Sequence, residues 1–133
     1  MVVSRAEFKL EDAIKAWGFS FRDKTVLDIG SSTGGFTECA LKNGAKSVIA
    51  IEKGTKQMHA PLRFDSRINL HEKTDIFSIT KILPDLFKSE QIPTDIILAD
   101  VSFVSLEKIL SFSKRKLARR GTNFLVKIGR AHV

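Results

Sequence analysis

A buried-strand pattern that runs directly into a glycine-rich turn is the feature of this 133-residue sequence that most restricts its fold. Residues 25–29 read Thr-Val-Leu-Asp-Ile and are apolar after the first position except for Asp28, which is typical of a strand covered on both faces. Gly-Ser-Ser-Thr-Gly-Gly follows at 30–35, and a helical pattern begins at once at Phe36. Glycines let the backbone approach a ligand closely, and a helix N-terminus offers unpaired N–H groups. The segment therefore predicts a ligand-binding strand–turn–helix unit.

The rest of the chain alternates strand patterns with helix patterns. Further strands are predicted at 47–51, 68–70, 95–99 and 123–128, and helices at 36–42, 57–64, 79–87 and 106–117. A first helix is predicted to begin at Ser4, which forms a capping box with Glu7. Strands and helices that alternate at this spacing predict an α/β fold with a doubly wound, mostly parallel sheet.

Composition restricts the class of protein and of partner. The length suits one domain with a hydrophobic core. A formal charge of +7 favours a polyanionic partner such as nucleic acid. Five basic residues fall within 114–120, where they could contact RNA phosphates or form a solvated helix end. A single cysteine, no signal-peptide pattern and no membrane-length apolar run lead us to expect a cytoplasmic protein without a membrane partner.

The spacing in the glycine turn indicates the kind of ligand. A dinucleotide-binding loop prefers Gly-x-Gly-x-x-Gly, whereas this loop reads Gly-x-x-x-Gly-Gly with Asp28 two residues before Gly30. A carboxylate there would repel a pyrophosphate but suits a ligand that bears an ammonium and a sulfonium. The pattern favours S-adenosylmethionine, with a dinucleotide or a turn that binds no ligand as alternatives. The loop residues predicted to bind this cofactor are Asp28, Gly30, Ser31, Ser32, Gly34, Gly35 and Phe36.

Three further acids follow predicted strands, at the edge where open α/β sheets bind ligands. Glu52 lies 22 residues beyond Gly30 and could accept both ribose hydroxyls of an adenosine. Asp75 could accept from the adenine amino group, or simply form a turn. Asp100 is predicted to contact the cofactor and stands where a methyl acceptor would enter beside it, or it caps the next helix. Lys127 ends the last predicted strand among apolar residues, a position that favours a functional lysine.

Three ordered segments, residues 4–10, 27–37 and 99–106, resemble the FtsJ-like ribosomal RNA 2′-O-methyltransferases, and within that group the TlyA/hemolysin A branch. The resemblance covers nearly the whole chain. It implies a Rossmann-like class I methyltransferase fold and S-adenosylmethionine-dependent methylation of a ribose 2′-hydroxyl in ribosomal RNA, on cytidine in the TlyA branch. Ribosomal RNA or ribosomal subunits would then be the partner.

FtsJ-like enzymes use a Lys-Asp-Lys-Glu tetrad, and by resemblance Lys9, Asp100 and Lys127 match its first three members. Lys127 would act as a base or stabilise the developing alkoxide, Asp100 would hold that lysine, and Lys9 would orient the acceptor. The glutamate is expected beyond residue 133.

The sequence departs from the family pattern at both ends. TlyA proteins usually carry an RNA-binding module before this domain, and none precedes Ser4. The family continues after Lys127 with proline and two further strands, whereas residues 128–133 read Ile-Gly-Arg-Ala-His-Val. A common sequencing adapter encodes that hexapeptide. We therefore expect an incomplete domain at 1–127 with its last strands missing, a non-native tail at 128–133, an unpaired edge on the last strand and an inactive chain.

Two other classes of function are weighed against methylation. A non-catalytic RNA-binding or hemolysin-like protein would not need Asp28 and Glu52, and no apolar segment supports membrane lysis. An NAD-dependent oxidoreductase would show thermal stabilisation by NAD. His59 and His71 have no partners at metal-ligand spacing, so no metal site is predicted.

Overall fold

The computed structural model of the chain describes residues 2–4, 12, 15–16, 18, 20–82, 94–117 and 121–129, with the backbone alone at 2–4, 100–104 and 127–129. Within this part, the strands are β1 (Val2–Ser4), β2 (Thr25–Ile29), β3 (Ser47–Ile51), β4 (Ile68–His71), β5 (Ile96–Ser102) and β6 (Asn123–Gly129). The helices are α1 (Gly35–Lys42), α2 (Ile79–Ile82) and α3 (Phe103–Lys116), with short 3₁₀ turns at Leu62–Phe64 and Ile76–Ser78.

The six described strands form one sheet in the order β1-β6-β5-β2-β3-β4, and every neighbouring pair is parallel. Chain order reverses at β2, because β3 and β4 lie on one side of it and β5 and β6 on the other. Ile29 at the end of β2 pairs with Ile51 of β3 and with Ala99 of β5, so three strand ends meet at this point. The arrangement confirms the predicted doubly wound α/β fold.

Both faces of the central strands are covered, which explains why their sequences are continuously apolar. On one face, Val26, Val48 and Leu98 pack with Ala40 and Leu41 of α1. On the other, alternate strand residues pack with α3; these include Leu27, Ile49, Ile97, Ile109 and Phe112. The two clusters hold the carboxyl ends of β2 and β3 between α1 and α3, and thereby fix the edge at which the candidate ligand residues lie.

Several elements differ in extent from the sequence prediction. β5 and β6 are longer than predicted because they pair with each other as far as Ser102 and Gly129. The first two residues of the predicted tail, 128 and 129, therefore lie in the sheet. The predicted helix at 57–64 is wrong in extent, since only the turn Leu62–Phe64 forms after Pro61. Of the helix predicted at 79–87, α2 covers the first four positions and 83–87 lie outside the described residues.

The edge of β6 corrects another prediction. We expected this edge to be unpaired, but Val2–Ser4 pairs with it, from Val2 opposite Leu125 to Ser4 opposite Lys127. Backbone N–H and C=O groups at an open edge can pair with any extended segment that reaches them. Ser4 therefore lies in a strand, which a helix N-cap allows because the capping residue is itself extended. Asp12, Lys15 and Ala16 are helical, whereas Glu7 of the capping box lies outside the described residues.

Candidate functional site

A cavity of about 260 Å³ opens at the carboxyl ends of β2 and β3, where the strand order reverses. Its volume is just below the roughly 300–1,000 Å³ typical of small-molecule sites. The loops after β2, β3 and β4 and the first half of α3 supply its walls. These residues are Ile29, Gly30, Ile51, Glu52, Lys53, Thr74, Ile76, Phe77, Ser105 and Ile109. The cavity thus combines an apolar slot with one carboxylate and one ammonium group.

The glycine loop is anchored to the end of β3. The N–H groups of Gly30 and Ser31 both donate to the carbonyl of Ile51, at 2.8 and 3.1 Å. Gly30 has a φ of 74° and Gly34 a φ of 101°, a backbone region that side chains strongly disfavour. The loop can therefore turn sharply over the strand end because glycine occupies these positions.

Packing also requires Gly34. A Cβ atom there would lie 2.4 Å from Cδ2 of Leu62 and 3.2 Å from Cγ of Met58. At Gly35, by contrast, a Cβ atom would have no neighbour within 4 Å. The first of the two adjacent glycines serves close packing against the chain after β3. The second begins α1 in open space.

Asp28 links the strand before the glycine loop to the helix after it. Its side chain is 1% exposed, and its Oδ2 accepts a 2.7 Å hydrogen bond from the hydroxyl of Thr37 in the first turn of α1. This bond joins the strand before the glycine turn to the helix after it. Asp28 does not line the cavity itself. No role for Thr37 was predicted from the sequence, although a hydroxyl in the first turn of the helix after the loop is a recognisable signal.

The hydroxyl of Ser31 is a second buried polar group in the loop. Ser31 is 4% exposed, and its Oγ makes no hydrogen bond within the described part of the chain. Buried hydroxyls in proteins nearly always have a partner. An unsatisfied one in a glycine loop next to a cavity fits a loop that holds a polar ligand, and so it supports the predicted cofactor.

Glu52 connects the glycine loop to the loop after β3. Its Oε1 accepts from the N–H of Ser32 and its Oε2 from the N–H of Gly54, both at 2.8 Å. Each carboxylate oxygen can accept a second hydrogen bond. Glu52 is half-buried and lines the cavity, so its geometry suits the predicted contact with two ribose hydroxyls.

Phe36 and Asp75, which are also predicted to bind the cofactor, do not line the cavity. Phe36 is half-buried and packs against the core on the α1 face rather than lining the cavity. Asp75 is exposed and its Oδ1 accepts from the N–H of Phe77 at 3.0 Å, which caps the turn Ile76–Ser78. The neighbours of Asp75, not Asp75 itself, form the cavity wall. The apolar wall was not predicted from the sequence, although Ile29 and Ile51 end the two strands that precede the predicted ligand residues.

The three residues assigned to the tetrad are only partly described. Asp100 and Lys127 are register partners on β5 and β6, so their backbones lie about 4.8 Å apart. Asp100 directly follows Ala99, the last residue of β5 that pairs with β2. The sheet thus brings both positions to the edge that holds the cavity. Lys9 lies outside the described residues.

Two negative findings apply to the described residues alone. Among residues 20–82 and 94–117 and the shorter described segments, no three histidine, cysteine or acidic side chains group as a metal site would require. None of the helices in that part of the chain is long and apolar enough to cross a bilayer.

The chain is similar in sequence and structure to several known proteins. Hemolysin A of Brachyspira hyodysenteriae is 47% identical over 107 residues, which are 80% of this chain and 42% of that protein. The 23S rRNA (cytidine-2′-O)-methyltransferase TlyA of Campylobacter jejuni is 41% identical over 83% of this chain and 40% of its own length. A solved structure described as a hemolysin from Lactococcus lactis matches with a TM-score of 0.71 and 39% identity, over 84% of this chain and 50% of that one.

The chain spans about two fifths of the length of these curated relatives. A family model described as FtsJ-like methyltransferase matches residues 2–130, nearly the whole chain. Family and fold together confirm the prediction from the glycine loop that the cofactor is S-adenosylmethionine. The chain belongs to the FtsJ-like methyltransferase family.

Proposed function

We propose that this chain forms the cofactor-binding and methyl-transfer domain of an enzyme that methylates a ribose 2′-hydroxyl of ribosomal RNA, on cytidine. The observation that carries the proposal is the cavity where strand order reverses, with Glu52 held on its wall by two backbone N–H groups. The relative from Campylobacter jejuni carries this activity in its name. A net charge of +7 suits a polyanionic substrate. Ribosomal RNA or ribosomal subunits in the cytoplasm would be the partner.

The described residues suggest how the cofactor would be held. Glu52 would accept from the ribose hydroxyls, and the slot between Ile51 and Ile76 would take the adenine ring. The unsatisfied hydroxyl of Ser31 would pair with a polar group of the ligand. Asp28 would act from below, because it fixes the first turn of α1 through Thr37 and adds a buried negative charge beneath a cationic ligand. When bound, S-adenosylmethionine supplies a methyl group on a sulfonium.

Residues at the carboxyl ends of β5 and β6 would serve the acceptor. A sugar hydroxyl is a weak nucleophile, so a group beside it must take its proton or stabilise the charge that develops on the oxygen. We assign this task to Lys127, with Asp100 on the adjacent strand to hold the lysine. Lys9 would orient the ribose. The protein would also bring the two reactants together, which lowers the barrier by removing orientational freedom.

Calorimetry and methyl-transfer assays test this function. The 133-residue chain should bind S-adenosylmethionine and gain thermal stability from it, whereas NAD should do neither. Asp28→Ala should weaken cofactor binding at least tenfold, equivalent to about 1.4 kcal/mol. Unchanged affinity in that variant, or stabilisation by NAD instead, would refute the cofactor assignment.

The substrate is tested by digestion of treated ribosomal RNA to nucleosides and mass spectrometry. The label should appear on ribose, and Lys127→Ala should abolish transfer while cofactor binding persists. Because residues 1–127 are expected to be an incomplete domain, transfer should be seen with a version that continues through the remaining reading frame and not with the 133-residue chain. Label on a base, on DNA or on protein would contradict the proposal.

A further inference from the structure

Phe64 is unusually exposed for a large aromatic side chain. It is 77% exposed at the end of the turn Leu62–Phe64. The guanidinium of Arg63 lies over its ring, 5.9 Å from the centroid. That guanidinium also pairs with Glu72 at 3.0 Å between Nη2 and Oε1. The ring and its cation are therefore held in place on the surface rather than packed into the core.

Three exposed lysines lie on the loops that adjoin this pair. Glu72, which holds Arg63, also accepts from the backbone N–H of Lys56 through its other oxygen. The N–H of Lys73 donates to the carbonyl of Gly54 at 3.1 Å, which ties the loop after β4 to the loop after β3. Lys53 lies in the loop after β3 and lines the cavity. We call Lys53, Lys56, Arg63, Phe64 and Lys73 the Phe64 surface.

The positive charge of these lysines is not neutralised locally. None of the three forms a salt bridge with another residue in the described part of the chain. The two closest acids along the loops are already engaged, Glu52 by two backbone N–H groups and Glu72 by Arg63. The lysines are therefore available to an external anion.

An exposed aromatic ring that is flanked by cations is the arrangement that binds single-stranded nucleic acid. Bases stack on the ring and on the guanidinium, and the ammonium groups contact phosphates. Neither feature alone would indicate RNA, since a lone ring suits a protein partner and lone lysines are usually solvated. Their combination beside the cofactor cavity, in a chain of charge +7, favours a polynucleotide.

We propose that the Phe64 surface binds a single-stranded segment of the RNA substrate, with one base stacked on Phe64 and the phosphates on Lys53, Lys56 and Lys73. This inference rests on the proposed function for the identity of the polynucleotide. Phe64 does not line the cavity, so altering it should lower RNA affinity and leave cofactor affinity unchanged.

Fluorescence anisotropy with a labelled 12-nucleotide single-stranded RNA tests the aromatic contact in the 133-residue chain. Phe64→Ala should weaken binding about tenfold, within the range that removal of one stacked aromatic produces. Phe64→Trp should retain or strengthen it, because stacking needs only a ring. Calorimetry with S-adenosylmethionine should give the same affinity for both variants and the parent. This measurement also shows that the variants are folded.

The lysine contacts are tested by their salt dependence. Replacing Lys53, Lys56 and Lys73 with glutamine should make log affinity fall less steeply with log salt. Each single-strand phosphate contact contributes roughly 0.7 to the steepness of that slope, so the loss of three contacts should reduce it by about 2. The matched control neutralises three exposed lysines elsewhere, Lys24, Lys46 and Lys108. The control removes the same charge but should change the slope far less.

A 4-thiouridine RNA that is irradiated in the complex should cross-link to Phe64 or its neighbours, as mapped by mass spectrometry. Parent-like binding in Phe64→Ala and in the triple variant would overturn the inference while leaving RNA methylation intact. An equal loss in the control triple would mean non-specific attraction and also overturn it. If the parent binds cofactor but no RNA, the proposed substrate itself fails.

Discussion

Substitution of the two adjacent glycines of the loop should have opposite effects on stability. In Gly34→Ala, the new methyl group would lie 2.4 Å from Cδ2 of Leu62 and the backbone would keep a φ of 101°. The backbone strain costs about 1–3 kcal/mol, and forcing an extra carbon into a packed contact costs about 1–3 kcal/mol more. We therefore expect a loss of about 2–6 kcal/mol in the free energy of unfolding. That is a large part of a typical net stability of roughly 5–15 kcal/mol.

Gly35→Ala is the matched control. No atom lies within 4 Å of its new methyl group, and the residue begins α1 with ordinary backbone geometry. Because alanine restricts the unfolded chain and favours helix, we expect a gain of about 0.4–1 kcal/mol. Urea denaturation followed by circular dichroism measures both. For a slope of about 1–3 kcal/mol per molar urea, the midpoint of Gly34→Ala should fall by at least about 0.7 M.

Leu62→Ala separates the two causes of the Gly34→Ala loss. It removes the atom that the new methyl group would meet at 2.4 Å and leaves the 3.2 Å approach to Cγ of Met58. In its background Gly34→Ala should therefore cost mainly the backbone part, about 1–3 kcal/mol. An unchanged midpoint for Gly34→Ala would refute the close packing of the loop against Leu62. The same is true of a cost that persists in full after Leu62→Ala.

Three further predictions follow from individual contacts. Glu52→Gln should lower affinity for S-adenosylmethionine at least tenfold, as measured by calorimetry. One of the two backbone N–H groups that donate to Glu52 would then face an amide N–H instead of an oxygen. Parent-like affinity would contradict this. Thr37→Val should destabilise the chain by about 1–3 kcal/mol in urea, since the buried Asp28 loses a donor; no change would mean that the bond contributes nothing. Arg67 holds the pKa of Asp65 at about 2, chiefly by a side-chain hydrogen bond, so Arg67→Gln should return that pKa towards 3.8 in an NMR titration. The lowered pKa of Asp65 stabilises the folded state fully at a pH above 3.8, the pKa of the unfolded chain, and this stabilisation is lost as the pH falls from 3.8 to about 2. It should be small because the pair is exposed to solvent.

Local patterns sufficed to predict the central elements. β2 and β3 have the bounds expected from their apolar runs, and the structure begins α1 one residue before the predicted position. Gly30 follows β2, and Gly34 and Asn43 flank α1; the backbone preferences of such residues act within a few positions. Glu52 was predicted from its distance to Gly30 along the chain. It lies on the cavity wall because two parallel strands of similar length bring their ends together.

Long-range pairing decided what the local patterns could not. β5 and β6 extend to Ser102 and Gly129 because each supplies hydrogen bonds to the other. Val2–Ser4 becomes a strand because the open edge of β6 offers it partners. Neither outcome is encoded in the residues of one segment, since a strand gains its hydrogen bonds from a neighbour that is distant in sequence.

The division between sequence and tertiary structure is clearest at the site. The sequence by itself determined the glycine loop, the buried acid before it and the acid after the next strand, because these depend on residue type and spacing within short segments. Only the tertiary structure decided that Asp28 pairs with Thr37 and that Phe64 remains exposed. The physical reason is that burial and side-chain partners depend on which elements pack together, and that packing is settled only when the whole sheet has formed.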